Sequence, residues 1–121
     1  MNTARKNSIS ATQKGQAAEN AALFYLEQQG LRLVERNFST RLGEIDLIMW
    51  QQQTLVFIEV RQRSNPHFGG AVASISLAKQ DKLWNTAQIY LQRFAALPAC
   101  RFDLVAINGL EMAWLKNFIS R

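Results

Sequence analysis

Two short apolar runs constrain this chain more than anything else in it: Gly43-Glu44-Ile45-Asp46-Leu47-Ile48-Met49-Trp50 and Leu55-Val56-Phe57-Ile58-Glu59-Val60-Arg61. Each has the length and composition of a buried strand, and each carries acids in its interior. A carboxylate removed from water is destabilising unless it is paired, hydrogen-bonded or bound to a metal. Two neighbouring strands that both carry one point to a site. Strict alternation places Glu44, Asp46, Ile48 and Trp50 on one face of the first strand, and Leu55, Phe57, Glu59 and Arg61 on one face of the second. Closing the hairpin through Gln51 to Thr54 sets Trp50 opposite Leu55, Ile48 opposite Phe57, Asp46 opposite Glu59 and Glu44 opposite Arg61. Directly opposed residues lie roughly 4.5 to 5.5 Å apart at Cβ, so the facing acids repel unless a cation or a proton sits between them.

The chain has 121 residues, the size of one domain with one core. No apolar run approaches the roughly 20 residues of a membrane span. Met1 to Ala11 is polar and lacks the apolar core of a signal peptide, so the expected location is the cytoplasm. Cys100 is the single cysteine, which excludes an internal disulfide, and with His67 it is too little for a structural zinc site. The net charge of +5 favours a polyanionic partner. Arg32, Arg36, Arg41, Arg61 and Arg63 all fall in or beside the strands that carry the acids.

Along the chain, residues 1 to about 12 read as a flexible tail ahead of a single domain over 13–121. Gln13 to Gln29 is rich in helix formers, with Gly30 placed to end the helix. Leu31 to Phe38 reads as a strand and Ser39-Thr40-Arg41 as a turn before the hairpin. Ser64 to Gly70 is dense in turn formers. A long helix is expected over about Ser76 to Ala96, with Leu83, Ala87, Tyr90, Leu91 and Phe94 as its apolar stripe. Arg101 to Ile107 reads as a strand, Asn108-Gly109 as a tight turn and Glu111 to Leu115 as the last strand. The order α-β-β-β-α-β-β implies an α/β fold with a mixed central sheet flanked by helices.

Glu19, inside the first helix, is a third acid able to converge with Asp46 and Glu59. Magnesium and similar hard cations take oxygen ligands and retain waters. Such an ion would activate water and offset charge on a scissile phosphate, while basic residues hold the phosphate backbone. The bland alternatives are definite. Asp46 and Glu59 can pair with nearby arginines, Glu19 can be a helix-end acid, and Asp103 reads as the partner of Arg101 or Arg36. Trp84 and Trp114 read as packing residues.

Gly15-x-x-x-Glu19, Gly43-Glu44-Ile45-Asp46-Leu47-Ile48, Phe57-Ile58-Glu59-Val60-Arg61 and Arg101-Phe102-Asp103-Leu104-Val105 together resemble the signature of the YraN family, small bacterial proteins similar to the restriction-endonuclease-like fold. Related nucleases, among them archaeal Holliday-junction resolvases and RecB-type domains, use an acid on the first helix, an Asp on one strand and Glu-x-Lys on the next. The resemblance implies catalytic roles for Glu19, Asp46, Glu59 and Arg61, and a Mg2+ or Mn2+ ion on Asp46, Glu59 and the Val60 carbonyl. Arg36, Arg41, Arg63, Lys79 and Lys82 are the candidate contacts to nucleic acid, with DNA expected ahead of RNA and a homodimer as the candidate assembly. Arg61 stands where the related nucleases carry lysine. Arginine does not give up its proton, so Arg61 suits phosphate contact rather than base catalysis. The leading expectation is a metal-dependent nuclease acting on DNA, including branched or damaged DNA. The competing ones are a non-catalytic nucleic-acid-binding module on the same fold, and an interaction protein whose acids and arginines form a buried network.

Overall fold

The computed structural model describes residues 11–62 and 73–119. The expected Ser64–Gly70 loop, Arg63 and His67, and all but the end of the expected tail, lie outside them. The elements run α1 (Ala11–Gln28), β1 (Arg32–Thr40), β2 (Gly43–Gln51), β3 (Thr54–Gln62), α2 (Leu77–Leu91), β4 (Ala99–Asn108) and β5 (Glu111–Leu115). The five strands form one mixed sheet in sequential order. All neighbours are antiparallel except β3 and β4, which run parallel from Thr54↔Ala99 to Gln62↔Ile107. A parallel pair cannot be joined by a tight turn, and α2 belongs to the crossover between them.

Two apolar layers sandwich the sheet. On one face Ala18, Ala22 and Leu26 of α1, four residues apart, pack with Leu47, Met49, Val56, Ile58, Val105 and Ile107. On the other, Leu83, Ala87, Tyr90 and Leu91 of α2 pack with Ile48, Leu55, Phe57 and Phe102. Burying these side chains is the main favourable term in folding. α1 ends through Gly30 at φ 96°. The Gly30 N–H donates to the Glu27 carbonyl at 3.0 Å and the Leu31 N–H to that of Leu26 at 3.1 Å. This is the two-bond glycine cap of a helix end, and it seats Leu31 beside Leu26 in the core.

Several boundaries differ from expectation. The β1–β2 ladder extends to Thr40↔Gly43, so the turn is Arg41-Leu42, with the Leu42 N–H donating to Thr40 Oγ1 at 3.0 Å. The last hairpin pairs Asn108 with Glu111, moving the turn to Gly109-Leu110. α2 starts at an N-cap, Ser76, and stops at Leu91, well short of Ala96. Trp84 stacks on Phe102 with centroids 5.5 Å apart, and Trp114 meets Tyr25 edge-on. Both are packing residues.

Candidate metal and phosphate site

The β2–β3 hairpin has the expected register, Trp50↔Leu55 and Ile48↔Phe57, and its ladder runs as far as Leu47↔Ile58. There the pattern changes. Ile45 packs in the same layer as Ile48, while Leu47 lies in the opposite layer, so strict alternation fails at Asp46. Across from it, Asn37 lies between the pairs Arg36↔Leu47 and Phe38↔Ile45 and adopts φ 53°. This left-handed residue lets the edge strand change faces along with β2. The Asp46 carboxylate turns toward β3, where Oδ2 accepts the Val60 N–H at 2.8 Å. A side chain thus replaces a ladder bond at the point where the strands part.

Glu59 is 5% exposed. Burial first, and then the charge of neighbouring Glu59, push the Asp46 carboxyl up to about 7; the Val60 bond opposes this and the charge of Glu44 adds to it. The cation beside Glu59 is Lys79 of α2, with Nζ 3.6 Å from Oε2. Glu44 accepts from Ser39 Oγ at 2.8 Å, and Arg61 donates through Nη2 to the Ser74 carbonyl at 3.3 Å. The expected Glu44–Arg61 facing pair is therefore replaced by contacts to other partners, because the two strands are no longer laddered there. Among the described residues, Arg61 Nε is buried without a hydrogen-bond partner.

Glu19 faces the same end of the sheet from α1. Burial raises its pKa first and the charge of Asp46 next, while Arg36 and Asn37 pull it back. Arg36 Nη2 lies 3.4 Å from Glu19 Oε1 and donates to Asn20 Oδ1 at 2.7 Å. With its amide oriented to donate, Asn37 reaches the two Glu19 oxygens at 3.1 and 3.0 Å. Gln16, Asn20, Arg36 and Asn37 line a polar cleft of about 400 Å³ beside this carboxylate. Among the described residues, no three of His, Cys, Asp and Glu gather closely enough to hold a metal ion. Asp46 and Glu59 come together, while Glu19 feels the charge of Asp46 and makes its own contacts to Arg36 and Asn37.

Of the remaining basic candidates, Arg41 is exposed on the β1–β2 turn and Lys82 is exposed on α2. The backbone and Cβ of Lys82 crowd Gly43, where an added Cβ would lie 3.2 Å from Lys82 Cβ and 3.0 Å from Thr86 Oγ1. The glycine at the head of β2 is what lets α2 lie this close. Arg93, just past the end of α2, sits 3.6 Å above the Tyr90 ring and 3.5 Å from Glu35, so it belongs to the packing of the end of α2 on the sheet. Asp103 is fully buried and held by Arg101 at 2.8 and 2.9 Å, by Trp114 Nε1 at 2.9 Å and by the Asn117 N–H at 2.9 Å. Every one of these bonds ties β4 to its own strand or to the C-terminal strand region, as a structural pair would.

A family model for an uncharacterised protein family, UPF0102, matches residues 18–107, a span containing Glu19, Asp46, Glu59 and Asp103. The chain belongs to the UPF0102 family. It is 59% identical over 105 residues to a UPF0102 protein of Janthinobacterium sp. (strain Marseille), covering 87% of this chain and 85% of that one. It is 54% identical over 105 residues to one of Herminiimonas arsenicoxydans, with the same coverage. A UPF0102 protein of Nitrosomonas europaea is 50% identical over 111 residues, 89% of this chain and 94% of the other. The resemblance read from the motifs and the family match agree, and the mixed sheet between two helices is an α/β fold consistent with the restriction-endonuclease-like arrangement. No helix among the described residues is long and apolar enough to cross a membrane.

Proposed function

We propose that this UPF0102 protein is a metal-dependent nuclease that hydrolyses phosphodiester bonds in DNA in the cytoplasm, with Asp46 and Glu59 as its metal-binding acids. The observation that carries this reading is a buried carboxylate, Glu59, beside a half-buried one, Asp46, where the β2–β3 ladder ends. Their combined charge exceeds what Lys79 offsets, and a divalent cation would relieve that excess. The donor set fits Mg2+ or Mn2+, since it consists of oxygens alone and leaves room for water and phosphate. In a strand, the N–H and C=O of one residue point the same way, so the Val60 carbonyl shares the side on which its N–H meets Asp46. Asp46, Glu59 and the Val60 carbonyl would hold the ion, and the substrate phosphate would complete the shell in place of a third acid. When bound, the ion supplies charge neutralisation and a water activated for attack.

The rest of the machinery is made of the chain's own residues. Glu19 adds negative charge beside Asp46, which would strengthen the attraction for a cation. Arg61 contacts the phosphate, and Arg36, Arg41 and Lys82 lie on surfaces where a backbone could pass. The substrate class is DNA, branched or damaged DNA included, and a second copy of the chain would let so small a domain span it. The test is a cleavage assay on labelled duplex, single-stranded and branched DNA with Mg2+ or Mn2+. Cleavage lost in Asp46→Asn is expected; cleavage that survives this change in clean protein would refute the assignment.

The arginine at position 61 favours a second reading, a DNA-binding module without turnover. Salt-sensitive DNA binding, with no cleavage under either metal and no loss in Asp46→Asn, would establish it.

A further inference from the structure

Lys79 breaks a local rule. Ser76 caps α2 by accepting the Lys79 N–H on its Oγ at 3.1 Å, which places Lys79 in the first turn. The dipole of a helix disfavours a cation there and favours an acid, and the capping arrangement calls for Glu or Gln at this position. The first turn of α2 carries no acid at all. Residues that oppose the preference of their own element tend to be held for function. The ammonium here leans to the sheet, 3.6 Å from Glu59 Oε2, with its side chain 38% exposed and that of Glu59 6% exposed. Arg61, two residues beyond Glu59, spends its Nη2 on the Ser74 carbonyl.

We propose that Lys79, rather than Arg61, is the catalytic cation of this site, brought from α2 to the acids of β2 and β3. This rests on the nuclease function proposed above, and it moves Lys79 from the general DNA-backbone contacts to the reacting centre. In hydrolysis the water oxygen bonds to phosphorus, the P–O bond to the sugar breaks, and its electron pair leaves with the sugar oxygen. That oxygen takes up a proton from solvent while the attacking water gives one up. The ammonium is unchanged throughout. Its part is to offset the negative charge that grows on the phosphoryl oxygens, as a cation held in place before the reaction does without reorganising.

The experiment compares wild type, Lys79→Met and Lys79→Arg, each checked for folding by circular dichroism, on a DNA that the wild type cuts with saturating Mn2+. Lys79→Met is expected to lower kcat by about 100-fold while KM stays within about threefold, the size typical of losing one charge-stabilising group. Lys79→Arg, which keeps the charge, is expected to recover about tenfold of that loss. Unchanged kcat in Lys79→Met overturns the role of Lys79 and leaves the nuclease function standing. A loss confined to KM does the same, returning Lys79 to the backbone contacts, and so does equal loss in both variants, which marks a structural pair. A wild type that cuts no DNA, whatever it binds, overturns the nuclease function and the role of Lys79 together. Should Lys79→Met fail to fold, Lys79→Gln takes its place against the same outcomes.

Discussion

The Asp46 carboxylate accepts the Val60 backbone N–H at 2.8 Å, one step beyond Leu47↔Ile58, where the β2–β3 ladder ends. A side chain does the work of a strand there, and the strand it replaces is free to turn. The bond fixes the carboxylate against Glu59, although burial and the Glu59 charge both oppose its ionisation. The arrangement satisfies the backbone at the expense of the acid, a strain that the proposed cation would relieve.

Asp46→Asn and Asp46→Ala separate these two effects. Asparagine keeps an oxygen for the Val60 N–H and removes the charge, so at about pH 8 it is expected to stabilise the free protein by about 1–2 kcal/mol. Alanine leaves the Val60 N–H without its partner and is expected to fall about 1–3 kcal/mol below asparagine. Urea unfolding of the two variants and wild type measures both differences. Alanine as stable as asparagine would mean that the bond to Val60 contributes nothing.

The same carboxyl sets a pH dependence. Its folded pKa, about 7, lies above its ordinary value of 3.8, so between the two the folded state binds more protons than the unfolded state. Its contribution is fully present below the unfolded value and is lost as pH rises through the folded one, with a slope of at most about 1.4 kcal/mol per pH unit. Glu19, also raised, acts in the same direction. Urea midpoints are therefore expected to fall for wild type between about pH 5 and pH 8 relative to Asp46→Asn. Parallel curves would show that Asp46 titrates normally.

Much of this was legible in the sequence, and the exceptions share a cause. The seven elements and the hairpin register follow from apolar periodicity and the Gln52-Gln53 turn, which are local signals. The acid pair followed from two apolar strands that each carry a carboxylate. The face change at Asp46 was not legible, because it depends on Asn37 holding φ 53° in a stretch that reads as an ordinary strand. The Lys79–Glu59 contact was hidden as well, since the crossover between β3 and α2 sets where α2 lies. Lys79 in the first turn of a helix capped by Ser76 was the available clue. The withdrawal of Arg36 to Glu19 and Asn20 needs α1 and β1 packed together, and no motif announces it.

Gly43→Ala is expected to destabilise the fold by about 1–3 kcal/mol. The new Cβ would lie 3.0 Å from Thr86 Oγ1 and 3.2 Å from Lys82 Cβ, at a φ of 155° that disfavours a side chain. Thr86 cannot easily yield, because it is fully buried and its hydroxyl donates to the Lys82 carbonyl at 2.7 Å. Thermal unfolding checks this; a variant as stable as wild type would show that α2 has slack over the head of β2.

Asp103→Ala removes the acceptor shared by the Arg101 guanidinium, the Trp114 N–H and the Asn117 N–H, leaving Arg101 its bond to Gln51 at 2.7 Å, and is expected to cost about 3–5 kcal/mol. Its effect belongs to stability alone. A folded Asp103 variant that lost Mn2+ affinity would place Asp103 in the metal site and contradict its structural assignment.

The most direct measurement is a calorimetric titration of Mn2+ into wild type and into the Asp46→Ala, Glu59→Ala double variant, each alone and with DNA bound, with circular dichroism to confirm folding. Binding to wild type that disappears in the folded double variant is the expected result, with the tighter binding in the presence of DNA because the phosphate supplies a ligand. Equal binding by both proteins, or none by wild type with DNA present, would contradict a metal site at Asp46 and Glu59.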